Sequence, residues 1–232
     1  MKKIRVREIC AGLLLALSLS GPAWAQGSAL VVDADKLATE LQQSTSGKQD
    51  LNLVWWIPEA YWRAILVQEK VPKENAAELS AILRPYTVVA VFDGTISQTG
   101  GTTFRSEAEL RRTMRVIDAN GVEYSVLEKD KIGPGAAGLL DIIRPMLSNA
   151  LGKLGANFHF LVFPGLNAKG EPIADPSRSG SLRIRVEKGR ELTWQLPLPS
   201  LVAPKKCPID GQVMNGTWNY CPWHGAELKS QP

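Results

Sequence analysis

Four side chains near the C-terminus combine residue type and spacing in a way that can bind metal. They are Cys207 and Asp210 in Cys207-Pro-Ile-Asp-Gly211, and Cys221 and His224 in Cys221-Pro-Trp-His-Gly225. A Cys-x-x-ligand turn is tight enough to aim its first and fourth side chains at one point. Two such turns facing each other supply the four donors of a tetrahedral site, which suits zinc. With every donor drawn from protein, such a site is closed and structural, with no position left for a substrate. The same cysteines open a second chemistry, a Cys207–Cys221 disulfide, which would remove both thiolates and exclude the metal. A third combines the two: reversible switching between zinc-bound thiolate and disulfide, a redox response.

The pair of turns resembles a zinc ribbon, whose knuckles usually read Cys-Pro-x-Cys-Gly; here Asp210 and His224 stand at the fourth positions. The resemblance spans Pro204 to Leu228. It implies a small zinc-ribbon-like module and, because ribbons on other chains often serve as interaction platforms, a docking role. A segment this short cannot bury enough apolar surface to hold itself, so it needs a staple of one kind or the other. Trp218, Tyr220 and Trp223 are expected to cover the site and pack on the rest of the chain; the alternative is an exposed stacking platform for a ligand.

Other residues offer chemistry with less support. Trp55-Trp56-Ile-Pro-Glu59-Ala-Tyr61-Trp62-Arg63 is the densest aromatic cluster. Core packing takes at least part of it, and Trp55, Trp56, Tyr61 and Trp62 are the candidate lining of a pocket or interface. Val91-Phe-Asp93-Gly-Thr95 resembles the Asp-x-Asp-Gly-Thr motif of haloacid-dehalogenase-type phosphatases, with Asp93 at the acid/base position. Val91 stands where that family has its nucleophilic Asp, so no phosphoryl-enzyme can form. Asp93-Gly94 is expected as a turn or strand end. His159 alternates with Phe158 and Phe160 and reads as a satisfied or surface histidine; no Gly-x-Ser-x-Gly elbow accompanies it. Arg183, Arg185 and Arg190 flank a hairpin turn; Arg183 and Arg185 alternate with Leu182, Ile184 and Val186 and read as the wet face of a half-buried strand, the alternative being a dedicated anion site.

The elements that must position these groups follow an apparent leader. Lys2, Lys3, Arg5 and Arg7 precede the apolar run Ala11–Leu19, and Ala23-Trp24-Ala25 is a small-x-small cleavage site. The run is too short to span a membrane, and cleavage after Ala25 leaves Gln26 first. Cys10 precedes the run, which does not fit a lipoprotein. Removing the leader, with its four basic residues and one acidic, lowers the formal charge from +4 to about +1. No nucleic-acid or acidic-lipid partner is implied by a nearly neutral chain. The expected compartment is the periplasm of a Gram-negative bacterium, or the exterior.

Helices are expected over 29–43, Glu59–Gln68, Lys73–Leu83 and 135–154, the last with Leu139, Ile142, Ile143, Met146, Leu147, Ala150 and Leu151 on one face and Pro145 as a kink. Strands are expected at 51–56, 87–96 and 158–163. Two hairpins turn at Asp118-Ala-Asn-Gly121 and Lys188-Gly189. Residues 167–180 read as a long surface loop, and Pro197, Pro199 and Pro204 as a stiff linker. Hairpin connections favour an α+β class, a mainly antiparallel sheet with packed helices, over a parallel fold. The expected division is a leader (1–25), an α+β domain (26–203) and the tail (204–232). The expected role is non-enzymatic, binding or assembly with an unidentified protein or envelope component. The rival is a cell-envelope hydrolase using Glu171, Asp175 and Arg178 with His159 nearby.

Overall fold

The computed structural model describes residues 30–230, apart from 46, 48 and 151, so the leader and Cys10 lie outside the described residues. Helix α1 (Ala34–Leu41) opens the fold. The Asp33 carboxylate caps it, accepting the N–H groups of Asp35 at 3.0 Å and Lys36 at 3.1 Å. Ala34, Leu37, Ala38 and Leu41, at helical spacing, form its buried face. The helix is shorter than expected because Gln42–Gln43 leave it to form strand β1.

Two antiparallel sheets make the α+β body. In the first, β1 pairs with β2 (Asp50–Ile57) and β2 with β3 (Tyr86–Ile96). The other edge of β3 is shared end to end: β4 (Thr102–Phe104) pairs with 94–96 and β7 (His159–Pro164) with 86–91. The second sheet runs β6 (Glu123–Ser125), β5 (Arg115–Ile117), β8 (Gly180–Glu187), β9 (Arg190–Leu196). Its two hairpins turn at Gly121 and Gly189, whose φ values of 83° and 82° favour glycine.

Neighbouring tryptophans show how the layers stack. Successive strand residues point to opposite faces. Trp55 meets Tyr61 of helix α2 (Glu59–Gln68) at 5.5 Å between ring centroids, while Trp56 meets Trp194 of β9 at 6.2 Å. The first sheet therefore carries helices on one face and the second sheet on the other, which explains why β2 and β3 read as continuous apolar runs. Helices α3 (Lys73–Leu83) and α5 (Pro134–Ala150) complete the helical side, with Pro145 inside α5. Gly135 lies close on Ile82, where an added Cβ would come within 3.3 Å of Cγ2. Between β4 and β5 runs α4 (Glu107–Thr113), which the sequence analysis did not anticipate. Ser106 and Glu109 form its reciprocal capping box.

After β9 the chain is fastened rather than free. Leu198 is buried, and the N–H and hydroxyl of Ser200 donate to the two carboxylate oxygens of Glu40 in α1, at 3.1 and 2.8 Å. The tail then forms its own three-stranded sheet in the order β11 (Val213–Met214), β10 (Lys205–Lys206), β12 (Lys229–Ser230). Gly216 packs so tightly on the linker that a Cβ there would lie 2.1 Å from the Ala203 carbonyl oxygen. Among the described residues no helix is long and apolar enough to cross a membrane.

Candidate metal centre

The two knuckles are copies of one another in backbone hydrogen bonding. Gly211 N–H donates to Cys207 O and Cys207 N–H to Gln212 O, both at 2.9 Å; Gly225 N–H donates to Cys221 O and Cys221 N–H to Ala226 O, both at 2.8 Å. Gly211 and Gly225 close the turns with φ of 72° and 64°. In each, the N–H groups two and three residues beyond the cysteine point at its sulfur: Ile209 and Asp210 at Cys207, Trp223 and His224 at Cys221.

This duplication brings the donors together. The Sγ atoms of Cys207 and Cys221 and one ring nitrogen of His224 all lie within 4.8 Å of one another. His224 Nδ1 is 3.3 Å from Cys207 Sγ and 3.6 Å from Cys221 Sγ. Zinc–sulfur and zinc–nitrogen bonds of ordinary length, opened to a tetrahedral angle, put S and N about 3.5 Å apart. The two sulfur–nitrogen separations thus match the edges of a tetrahedron around a metal ion with bonds of that length. Asp210 Oδ2 stands 3.9 Å from His224 Nδ1, slightly wider than the ~3.4 Å edge expected between nitrogen and oxygen ligands. The compact group is therefore Cys207, Cys221 and His224, which can hold a metal ion, with the Asp210 carboxylate beside it.

Both thiols are free and each is about 1% exposed. Their protons are shared unequally. Burial pushes the Cys207 thiol up, aided by the neighbouring Asp210 carboxylate and Cys221. Burial also opposes the Cys221 thiolate, but the N–H groups of His224 and Trp223 with the Cys207 and His224 side chains outweigh it and bring that thiol down. The Gln212 N–H, then the Cys207 thiol, hold Asp210 below the usual carboxylate range. Of the two thiols Cys221 thus gives up its proton the more easily, beside a carboxylate in its ligand form.

No family model matches the chain, and no curated protein or solved structure matches it either. The geometry speaks for itself.

The other candidate residues fall elsewhere. Trp55, Trp56 and Tyr61 stand in the core with almost no exposed surface, so packing explains them; of the four rings only Trp62 is partly exposed. In the tail the expectation is reversed. Trp218, Tyr220 and Trp223 are 44%, 63% and 74% exposed rather than buried against the body, and Ile209 and Val213 are exposed as well. His159 meets Glu107 of α4 at 3.8 Å, and Arg144 reaches the same oxygen at 4.0 Å. Glu171 accepts from Asn167 and Asp175 from Ser177, so both carboxylates serve turns of their own loop. Arg183 and Arg185 lie on the wet face as expected.

Asp93 is the residue whose role the sequence concealed. It stands inside β3, 2% exposed, on the face that carries Trp56. Arg190 of β9 grips both its oxygens, and Arg105 adds a bond to Oδ2 at 3.1 Å. Glu187 pairs with the same two arginines at 3.1 and 3.6 Å, closing a balanced cluster of two cations and two anions. Burial works against the Arg190 charge, yet its bonds to Asp93 and the pull of Asp93 and Glu187 raise its pKa. The next residue, Gly94, is no turn glycine either. A Cβ there would strike the Phe104 ring at 2.7 Å, so glycine leaves room for the ring on the strand. Arg105 had no sequence signal; its partner is twelve residues away.

Proposed function

We propose that this is an exported, periplasmic protein that acts by binding or assembly, and that its C-terminal module is held by one structural zinc ion. Cys207, Cys221 and His224 would be its ligands, with Asp210 closing the fourth position through a small rotation of its carboxylate. The carrying observation is the duplicated knuckle, which sets two sulfurs at 3.3 and 3.6 Å from one imidazole nitrogen. A thiol–imidazole hydrogen bond would account for one of these approaches; three donors converging on one point is what a metal requires. With four protein donors the zinc has no place for substrate, so its contribution is mechanical: it joins the two turns and thereby sets where Ile209, Val213, Trp218, Tyr220 and Trp223 emerge. Those exposed apolar side chains are the surface on which an envelope protein would dock.

The test is metal content and thiol count on protein purified without chelator from its native compartment. About one zinc per chain, with both thiols reactive only after metal removal, supports the reading. Absence of metal together with absence of reactive thiol would replace it with a Cys207–Cys221 disulfide. That second reading has its own support, since both sulfurs are already within 4.8 Å. N-terminal sequencing of the same material tests export: the chain should begin at Gln26.

A further inference from the structure

The solvent face of the second sheet carries charge that its own residues do not balance. Arg115 of β5 and Arg185 of β8 stand directly opposite in register, a like-charge pairing that destabilises a sheet unless an anion answers it. Glu123 answers Arg185 at 2.7 Å, and Glu191 is shared between Arg183 at 3.1 Å and Arg185 at 3.5 Å. Arg115 has no carboxylate partner among the described residues. Its Nη1 donates instead to the carbonyl oxygens of Arg112 at 3.0 Å and Met114 at 2.7 Å, which orient the guanidinium without neutralising it. Lys188, at the exposed tip of the β8–β9 hairpin, likewise has no ion pair among the described residues. Four cations (Arg115, Arg183, Arg185, Lys188) against Glu123 and Glu191 leave an excess of two positive charges.

These residues border a groove of about 520 Å³, lined by Thr113, Arg115, Glu123, Arg185, Lys188 and Gly189. That volume suits a small molecule. Thr113 is engaged with Glu109 and Arg105 and serves as wall. A Cβ at Gly189 would meet nothing within 4 Å, so the Lys188 side of the groove is open.

We propose that this groove binds the phosphoryl group of a phosphomonoester between Arg115 and Lys188. Such a group carries nearly two negative charges near neutral pH, matching the excess, and an oriented guanidinium presents paired donors to its oxygens. The same chemistry can come from a soluble phosphorylated metabolite or from the headgroup of phosphatidic acid.

Calorimetric titration with glycerol 3-phosphate at low ionic strength, beside co-sedimentation with phosphatidylcholine vesicles containing or lacking phosphatidic acid, separates the two sources. Saturable binding is expected in one arm, weakened about tenfold by Arg115→Gln and several-fold by Lys188→Gln. Lys169→Gln, an exposed lysine outside the groove, should leave it unchanged. Lys188 is exposed at a hairpin tip, so that variant decides the matter if Arg115→Gln misfolds. The proposal is overturned by no saturable binding in either arm, by retained affinity in the groove variants, or by equal loss in Lys169→Gln.

Discussion

The body and the tail of this chain are held by opposite means. The body packs a central sheet on both faces, with Trp55 committed to the helices and Trp56 to the second sheet, and pins the layers with the Asp93 cluster. The tail has four buried side chains of its own, Cys207, Met214, Cys221 and Leu228, and two of those are the thiols of the metal group. An apolar core is always present once the chain folds, whereas a core half made of ligands is conditional on what they bind. The body should therefore be insensitive to chelators and the tail insensitive to changes in the body.

The sharpest way to break that contrast is Cys207→Ser. Structural zinc supplies about 10–16 kcal/mol to isolated knuckle peptides, far more than four buried residues can. The tail should become open to proteolysis while the melting temperature of the body barely moves. A single transition in which both parts melt together at a lowered temperature would mean that body and tail are one cooperative unit.

Asp93→Asn tests the other side. It leaves Arg105 and Arg190 with a neutral amide in place of their buried carboxylate and only the more exposed Glu187 to share, a loss of about 3–5 kcal/mol, or roughly 10 °C in melting for a body of this size. On the proposed reading, metal content should stay at the wild-type level; loss of metal in this variant would contradict the division. Gly216→Ala lies at the seam. Its new Cβ must displace the Ala203 carbonyl, at about 1–3 kcal/mol. Amide exchange should quicken around Val202–Ala203 and in the tail, and remain unchanged in β2 and β3.

The smallest effect concerns acid. Burial lowers the His159 pKa, Glu107 opposes the shift and Arg144 adds to it. A histidine that resists protonation in the folded state binds fewer protons than the unfolded chain below about pH 6.5, so stability falls as pH drops through that value toward the folded pKa. His159→Gln should reduce this decline, measured as the difference between denaturation midpoints of the two proteins from pH 7 to 5.

Local chemistry was legible in the sequence; distant pairing was not. Helix α2 begins just after Pro58, helix α3 begins just after Pro72 and stops just before Pro85, and both hairpins turn at their glycines. The knuckles were equally plain because each is a five-residue instruction. Asp93-Gly94 misled because Asp-Gly is a turn signal whose meaning here depends on Arg190, ninety-seven residues away, and on the ring of Phe104. Helix α4 did leave a signal, Ser106 followed by Glu109, but its seven residues give too little periodicity to stand out. The exposure of Trp218 and Trp223 had no sequence signature at all, since an indole reads alike on a surface or in a core.

The bonds that tie the first elements of the chain to β9 and the linker have a temporal meaning. Gln43 donates to Thr193 O, Trp194 Nε1 to Glu40 O and Ser200 to the Glu40 carboxylate, across separations of 150, 154 and 160 residues. Any machinery that delivers a polypeptide from its N-terminus forward, ribosome or translocation channel, releases α1 long before its partners arrive. The first helix can lie against β2 and α2 early, but these three attachments wait until nearly the whole body has emerged, and such long-range closure is slow. A chain that cannot finish folding early remains threadable for as long as it is being delivered.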